Sequence, residues 1–150
     1  MCTTLGYSVF ADCSKLTTAN FPMCTSIEIN TFTRCASLTT VSFPVCTSIA
    51  YGAFENCSKL TTVNFPACTY IGTSAFRMCR TLSSIQLGAS SVCKLSNSNA
   101  FTSTPFTGYS AYFSGTPHIY VPASLITAYQ SATNWTYFSS YFSSIESLEV

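Results

Sequence analysis

A spacing of 22 residues recurs through this chain and constrains its fold more than any other feature. Phe10, Phe32, Phe54 and Phe76 stand 22 apart, as do Leu16, Leu38, Leu60 and Leu82. Two cysteine columns share the step: Cys13, Cys35, Cys57 and Cys79, and Cys2, Cys24, Cys46 and Cys68. Pro22, Pro44 and Pro66 form another column, and Leu5, Ile27, Ile49 and Ile71 complete the apolar set. Several columns on one integer step are the signature of a repeat array. A unit of 22 is too short to be a domain and fits one turn of a solenoid.

The clearest unit runs from Leu60 to Cys79. Leu60, Val63 and Phe65 place two inward residues between polar neighbours, which predicts a short strand. Pro66 ends it, because proline has no N–H for the ladder. Tyr70-Ile71-Gly72 reads as a second short extended piece. Phe76, Cys79 and Leu82 follow at intervals of three, which predicts a single helical turn with its apolar side inward.

These residues carry a resemblance. The order L-x-x-V-x-F-x-x-C from Leu60 to Cys68 resembles the leucine-rich repeat consensus, with cysteine at that family's Asn/Cys position. The segment I-x-x-x-A-F-x-x-C from Ile71 to Cys79 is similar to the BspA-like class of bacterial leucine-rich repeats. The resemblance is regular over residues 2–93. It extends through Ile119-Tyr-Val-Pro-Ala-Ser-Leu125 and Asn134-Trp135, which look like the segment that closes such arrays.

The fold so implied is a right-handed leucine-rich repeat solenoid, a β/α superhelix of 22-residue turns with short parallel strands, single helical turns and a helical C-terminal cap. The function implied is a non-enzymatic module of a bacterial cell-surface or secreted protein that binds protein or glycan, as in adhesion or host interaction. A structural spacer presenting another domain of a longer surface protein is the alternative.

One domain over residues 1–150 divides into regular repeats (2–93), an irregular last repeat (94–122) and a helical cap (123–150). Met1-Cys2 matches Met23-Cys24, so the chain enters the array in mid-turn, which reads as a piece of a longer protein with no export signal of its own. Between Cys68 and Cys93 the step lengthens to 25, where Gly88-Ala-Ser-Ser extends a loop. Thr104 then replaces the family cysteine, residues 106–117 read as an irregular insertion, and Ile119-Tyr120-Val121-Pro122 restores strand followed by proline. Beyond it, Leu125, Ile126 and Tyr129, and then Phe138, Tyr141, Phe142 and Ile145, recur at helical spacing and predict two short helices over the end of the apolar column.

Composition excludes several functions. The chain carries 47% apolar residues, only 7% charged ones and a net charge of +1. The six cations are scattered, without the concentrated basic face that nucleic acid binding requires. No apolar run reaches the length of a transmembrane helix. The glycines are dispersed, with no phosphate loop.

His118, the only histidine, stands beside the last rung, and a Cys–His nucleophile would need a thiol converging on it. The five carboxylates, Asp12, Glu28, Glu55, Glu146 and Glu149, form no catalytic pair. Asp12 with Arg34 and Glu55 with Arg77, each one period apart, predict favourable contacts between neighbouring rungs. No enzymatic activity and no cofactor follow from the sequence.

The nine cysteines admit three readings. They are ladders of reduced, buried thiols bonded to carbonyls, a disulfide framework, or metal ligands. Rungs about 4.8 Å apart would allow disulfides by distance, but laddered side chains run parallel and the count is odd. Zinc favours closer pairs than cysteines 11 apart, so no metal site is assigned.

The candidate binding face lies on the outward side of the strand ladder: Thr18 and Asn20, Thr40 and Ser42, Thr62 and Asn64, Ser84 and Gln86. Stacked across rungs, these form a flat strip of hydroxyls and amides able to hydrogen-bond a glycan or a partner's backbone. Solvated strand residues of ordinary propensity are the competing reading. Tyr51, Tyr70 and Tyr120 are the nearest aromatic anchors.

Overall fold

The computed structural model describes residues 2–109 and 111–149. Met1 of the mid-turn entry, Ser110 of the insertion and Val150 of the cap lie outside them. Each regular turn contributes two very short strands. In chain order these are β1 (Thr4–Leu5), β2 (Thr18–Asn20), β3 (Ser26–Ile27), β4 (Thr40–Ser42), β5 (Ser48–Ile49), β6 (Thr62–Asn64), β7 (Tyr70–Ile71), β8 (Ser84–Gln86) and β9 (Lys94–Leu95). The last repeat adds β10 (His118–Val121), and the cap adds α1 (Ile126–Ser131) and β11 (Phe142–Ser144).

The strands form parallel ladders up two sides of the solenoid. One is β1-β3-β5-β7-β9, and it stacks the Leu5–Ile27–Ile49–Ile71 column in register onto Leu95. The other carries the strip and comes in two parts, β2-β4 and β6-β8-β10-β11. β4 and β6 lie side by side with no ladder pairing, and a cleft of about 150 Å³ lined by Val41, Ser42, Phe43, Pro44, Asn64 and Pro66 opens at that step.

The core is a pair of phenylalanine stacks. Phe10, Phe32, Phe54, Phe76 and Phe101 lie nearly parallel, with ring centroids 5.2, 5.2, 5.4 and 5.7 Å apart. Phe21, Phe43 and Phe65 form the second stack at 5.6 and 6.0 Å. These separations suit offset stacking and follow from rungs spaced like strands. The first stack then ends on Phe106 and Phe138, which meet Phe101 edge-on at 5.9 and 5.3 Å, beside the tilted Trp135. Phe10, Leu16 and Phe21 of the first turn are half-buried.

The stretch between the two ladders differs from the helical turn that the spacing predicts. It is a run of hydrogen-bonded β-turns: Ala53, Glu55 and Cys57 donate their N–H to the carbonyls of Ala50, Gly52 and Phe54, three residues back. Left-handed residues interrupt the run at fixed positions, Ser8, Asn30, Gly52 and Ser74 in one column and Asp12, Arg34, Asn56 and Met78 in the next. A positive φ every fourth residue prevents a helix from propagating. Other backbone N–H groups reach the next rung, as Phe32 N–H does to Ala53 O at 2.8 Å, so the turns ladder as the strands do.

The cap carries a short helix in each of the two expected places and adds a strand. It consists of a 3₁₀ turn at Ala123–Leu125, α1, a 3₁₀ helix at Trp135–Tyr141, β11 and a 3₁₀ helix at Ile145–Glu149. β11 pairs in parallel with β10 and extends the ladder by one rung. Buried Tyr129 and Trp135 fasten the cap to the last turn: the Tyr129 hydroxyl accepts from Cys93 N–H at 2.8 Å, and Trp135 Nε1–H donates to Cys93 O at 2.6 Å.

Candidate functional site

The strip is built by alternation. In β2, β4, β6 and β8 the central residue points into the core and its two neighbours point out, so Ala19, Val41, Val63 and Ile85 face inward between the polar pairs. Register then aligns the pairs into rows. Thr18 stands opposite Thr40 and Asn20 opposite Ser42, while Thr62 stands opposite Ser84 and Asn64 opposite Gln86. Six of the eight are exposed; Ser84 and Gln86 are half-buried beside the bulkier His118 and Tyr120 of the next strand.

The polar groups of this strip differ from those next to it. Just before the strip, Thr39 Oγ1 donates to Thr17 O at 3.1 Å, and on the other ladder Thr25, Thr47 and Thr69 each donate to the threonine carbonyl one rung back at 3.1–3.2 Å. Those hydroxyls are spent on holding rungs together. Among the described residues, none of the eight strip side chains hydrogen-bonds to the protein, so every donor and acceptor on it faces solvent.

The rows continue where the sequence reading stopped. His118 pairs with Ser84 and Tyr120 with Gln86, and their rings stack at 5.5 Å with His118 Nδ1 3.0 Å from Ser143 Oγ. The step from Ser84 to His118 is 34 residues because the insertion intervenes, which hides these two from a search on 22. The alternation in His118-Ile-Tyr-Val is the signal that places them. Tyr51 and Tyr70 belong elsewhere: Tyr70 lies on β7 and Tyr51 just beyond β5, on the other ladder, so only Tyr120 serves as an anchor on the strip.

The cysteines have a structural role in this geometry. Cys24, Cys46 and Cys68 each donate Sγ–H to the carbonyl two residues on, at 3.0–3.3 Å. Cys35, Cys57 and Cys79 instead donate to Phe10, Phe32 and Phe54 carbonyls of the preceding rung, at 3.0–3.2 Å. All nine are free thiols, seven of them buried, and burial pushes Cys35 and Cys46 up to about 12. Buried thiols held protonated in this way, as Cys35 and Cys46 are, make poor nucleophiles. Thr104, at the corresponding position of the last repeat, is also buried but bonds within its own turn, donating to Phe101 O at 2.6 Å. His118 meets a serine and a tyrosine, with no thiol bonded to it among the described residues.

The inter-rung ion pairs form as the spacing predicts, with Arg34 on both Asp12 oxygens at 2.5 and 2.6 Å and Arg77 on Glu55 at 2.5 Å. The hydrogen bond from Arg34 holds the Asp12 carboxyl below the usual range.

A family model for the BspA type leucine rich repeat region matches residues 3–116 in six copies. The chain belongs to that family. A leucine-rich repeat protein from Bacteroides ovatus ATCC 8483 has a similar solved structure, 25% identical, with a TM-score of 0.65 over 92% of this chain and 32% of that one. The chain thus spans about a third of that protein's length. No curated protein matches. Among the described residues, no helix is long and apolar enough to cross a membrane.

Proposed function

We propose that this BspA-type array is a non-enzymatic recognition module of a bacterial cell-surface or secreted protein, and that it holds a protein or glycan ligand on its strand face. The observation carrying this reading is the unspent polarity of the strip: two rows of hydroxyls and amides with no partner in the protein, ending on a stacked His118–Tyr120 pair. Several other hydroxyls of the array, those of Thr25, Thr39, Thr47 and Thr69, bond instead to the carbonyl one rung back. A flat array of this kind presents hydrogen bonds at rung spacing, and an aromatic pair at one end supplies the anchor such surfaces use.

The competing reading is a spacer that carries another domain. It is favoured by the composition of the rows, since threonine and serine are ordinary solvated strand residues. The test is a screen of the purified domain against immobilised glycans and extracellular-matrix proteins, followed by repeat binding with a variant carrying alanine at Thr40, Ser42, Thr62 and Asn64. Saturable binding lost in that variant at unchanged Tm supports recognition by the strip. Binding to nothing supports the spacer.

A further inference from the structure

A second polar concavity lies away from the strip. Ser58 and Lys59 of the third turn stand one period before Arg80 and Thr81 of the fourth, and with Tyr112 of the insertion these four line a pocket of about 310 Å³. That volume is at the small end of the ~300–1,000 Å³ range of small-molecule sites.

Each wall has a definite chemistry. Arg34 and Arg77 are neutralised by carboxylates, whereas among the described residues neither Lys59 nor Arg80 has a carboxylate within salt-bridge distance. The Arg80 guanidinium lies 5.6 Å from the centroid of the Tyr109 ring, and its buried Nε has no hydrogen-bond partner. A ring, not an anion, therefore positions this cation, and its charge stays uncompensated.

The hydroxyls are already committed as donors. Thr81 Oγ1 shares its one proton between Ser58 O and Leu60 O, each at 3.0 Å, and Ser58 Oγ lies 3.5 Å from Ala36 O, so toward the pocket both offer lone pairs. Tyr112 is 63% exposed and presents an aromatic surface, with its ring 6.2 Å from that of Tyr109.

We propose that this pocket binds a carboxylated sugar. The carboxylate takes the charges of Lys59 and Arg80, sugar hydroxyls donate to Ser58 and Thr81, and the apolar face of the pyranose ring covers Tyr112. A neutral sugar leaves both cations unpaired, and a small inorganic anion leaves the tyrosine face and the hydroxyl lone pairs unused. The site needs Tyr109 and Tyr112 of the insertion beside the third and fourth turns, so it is peculiar to this part of the array.

The test is calorimetric titration of the whole domain with digalacturonate and with sialyllactose, which separate a uronate from a sialate source, and with lactose as the neutral control. Lys59→Ala and Tyr112→Ala are the variants, because both side chains are exposed and neither is part of the strip. Saturable binding of at least one acidic sugar, absent with lactose and weakened about tenfold by either variant, is the expected result. The site is overturned if neither acidic sugar binds, if lactose binds as well, or if both variants bind as the parent does. The Thr40/Ser42/Thr62/Asn64 variant should titrate like the parent, which keeps this result separate from the fate of the strand face.

Discussion

Phe54 shows how much one residue of this array can hold. It is fully buried and stacks between Phe32 and Phe76, and its ring also meets those of Phe43 and Phe65. Phe54→Ala leaves a gap in a stack whose rungs are tied to one another, so little collapse is available. The expected loss is about 3–5 kcal/mol in denaturant melts, and a loss below about 1 kcal/mol would contradict the inward column.

The cysteines make a pH prediction. The folded thiols of Cys35 and Cys46 sit near 12, against about 9 when unfolded. Below pH 9 both states hold these protons and the thiols contribute no pH slope. Between 9 and 12 the unfolded chain releases them first, which draws the equilibrium toward unfolding. Stability should therefore fall across that window, and Cys46→Ala should flatten the fall relative to its own value at pH 7. An unchanged slope in urea melts would contradict a buried, protonated Cys46.

At the scale of the element, the chain is organised by short pieces that mean little alone. Two- and three-residue strands are stabilised by the rung on either side, as nearest-neighbour models of repeat proteins describe. Gly72, immediately after β7, shows the closeness this requires. A Cβ there would stand 2.8 Å from the Ala50 carbonyl carbon and 2.9 Å from Tyr51 N, both backbone atoms of the previous rung. Gly72→Ala should cost about 1–3 kcal/mol in chemical denaturation, and a neutral outcome would mean that the rungs slide more freely than the ladder implies.

The strands were legible because alternation and proline mark them. The turns are not legible in the same way, because a spacing of three between Phe76, Cys79 and Leu82 suits a helix and a chain of β-turns equally well. What separates the two is the left-handed backbone at Ser74 and Met78, side chains that carry no such signature. The unpaired step between β4 and β6 was equally hidden, since both strands keep the repeat pattern.

At the scale of the whole molecule, the period made the solenoid readable and set its columns, while the insertion concealed how it ends. Aromatic residues at helical spacing suggested a cap of two helices. The second helix ends at Tyr141, and Phe142 and Ser143 continue the ladder as β11, because a strand edge left by β10 offers backbone partners that a helix would leave unpaired. The rows were legible as far as Gln86, and Tyr120 as an anchor on the last rung, but the alignment of His118 with Ser84 was not, because 34 residues separate the two.

The most direct test titrates one neutral-glycan or protein ligand from the binding screen against three forms of the domain: parent, the Thr40/Ser42/Thr62/Asn64 alanine variant, and Lys59→Ala. Each is melted under the same buffer conditions. Recognition by the strand face requires the strip variant to lose at least about tenfold in affinity, with Tm held and with Lys59→Ala binding like the parent. Equal affinity of the strip variant and the parent would contradict it and move recognition off the strand face.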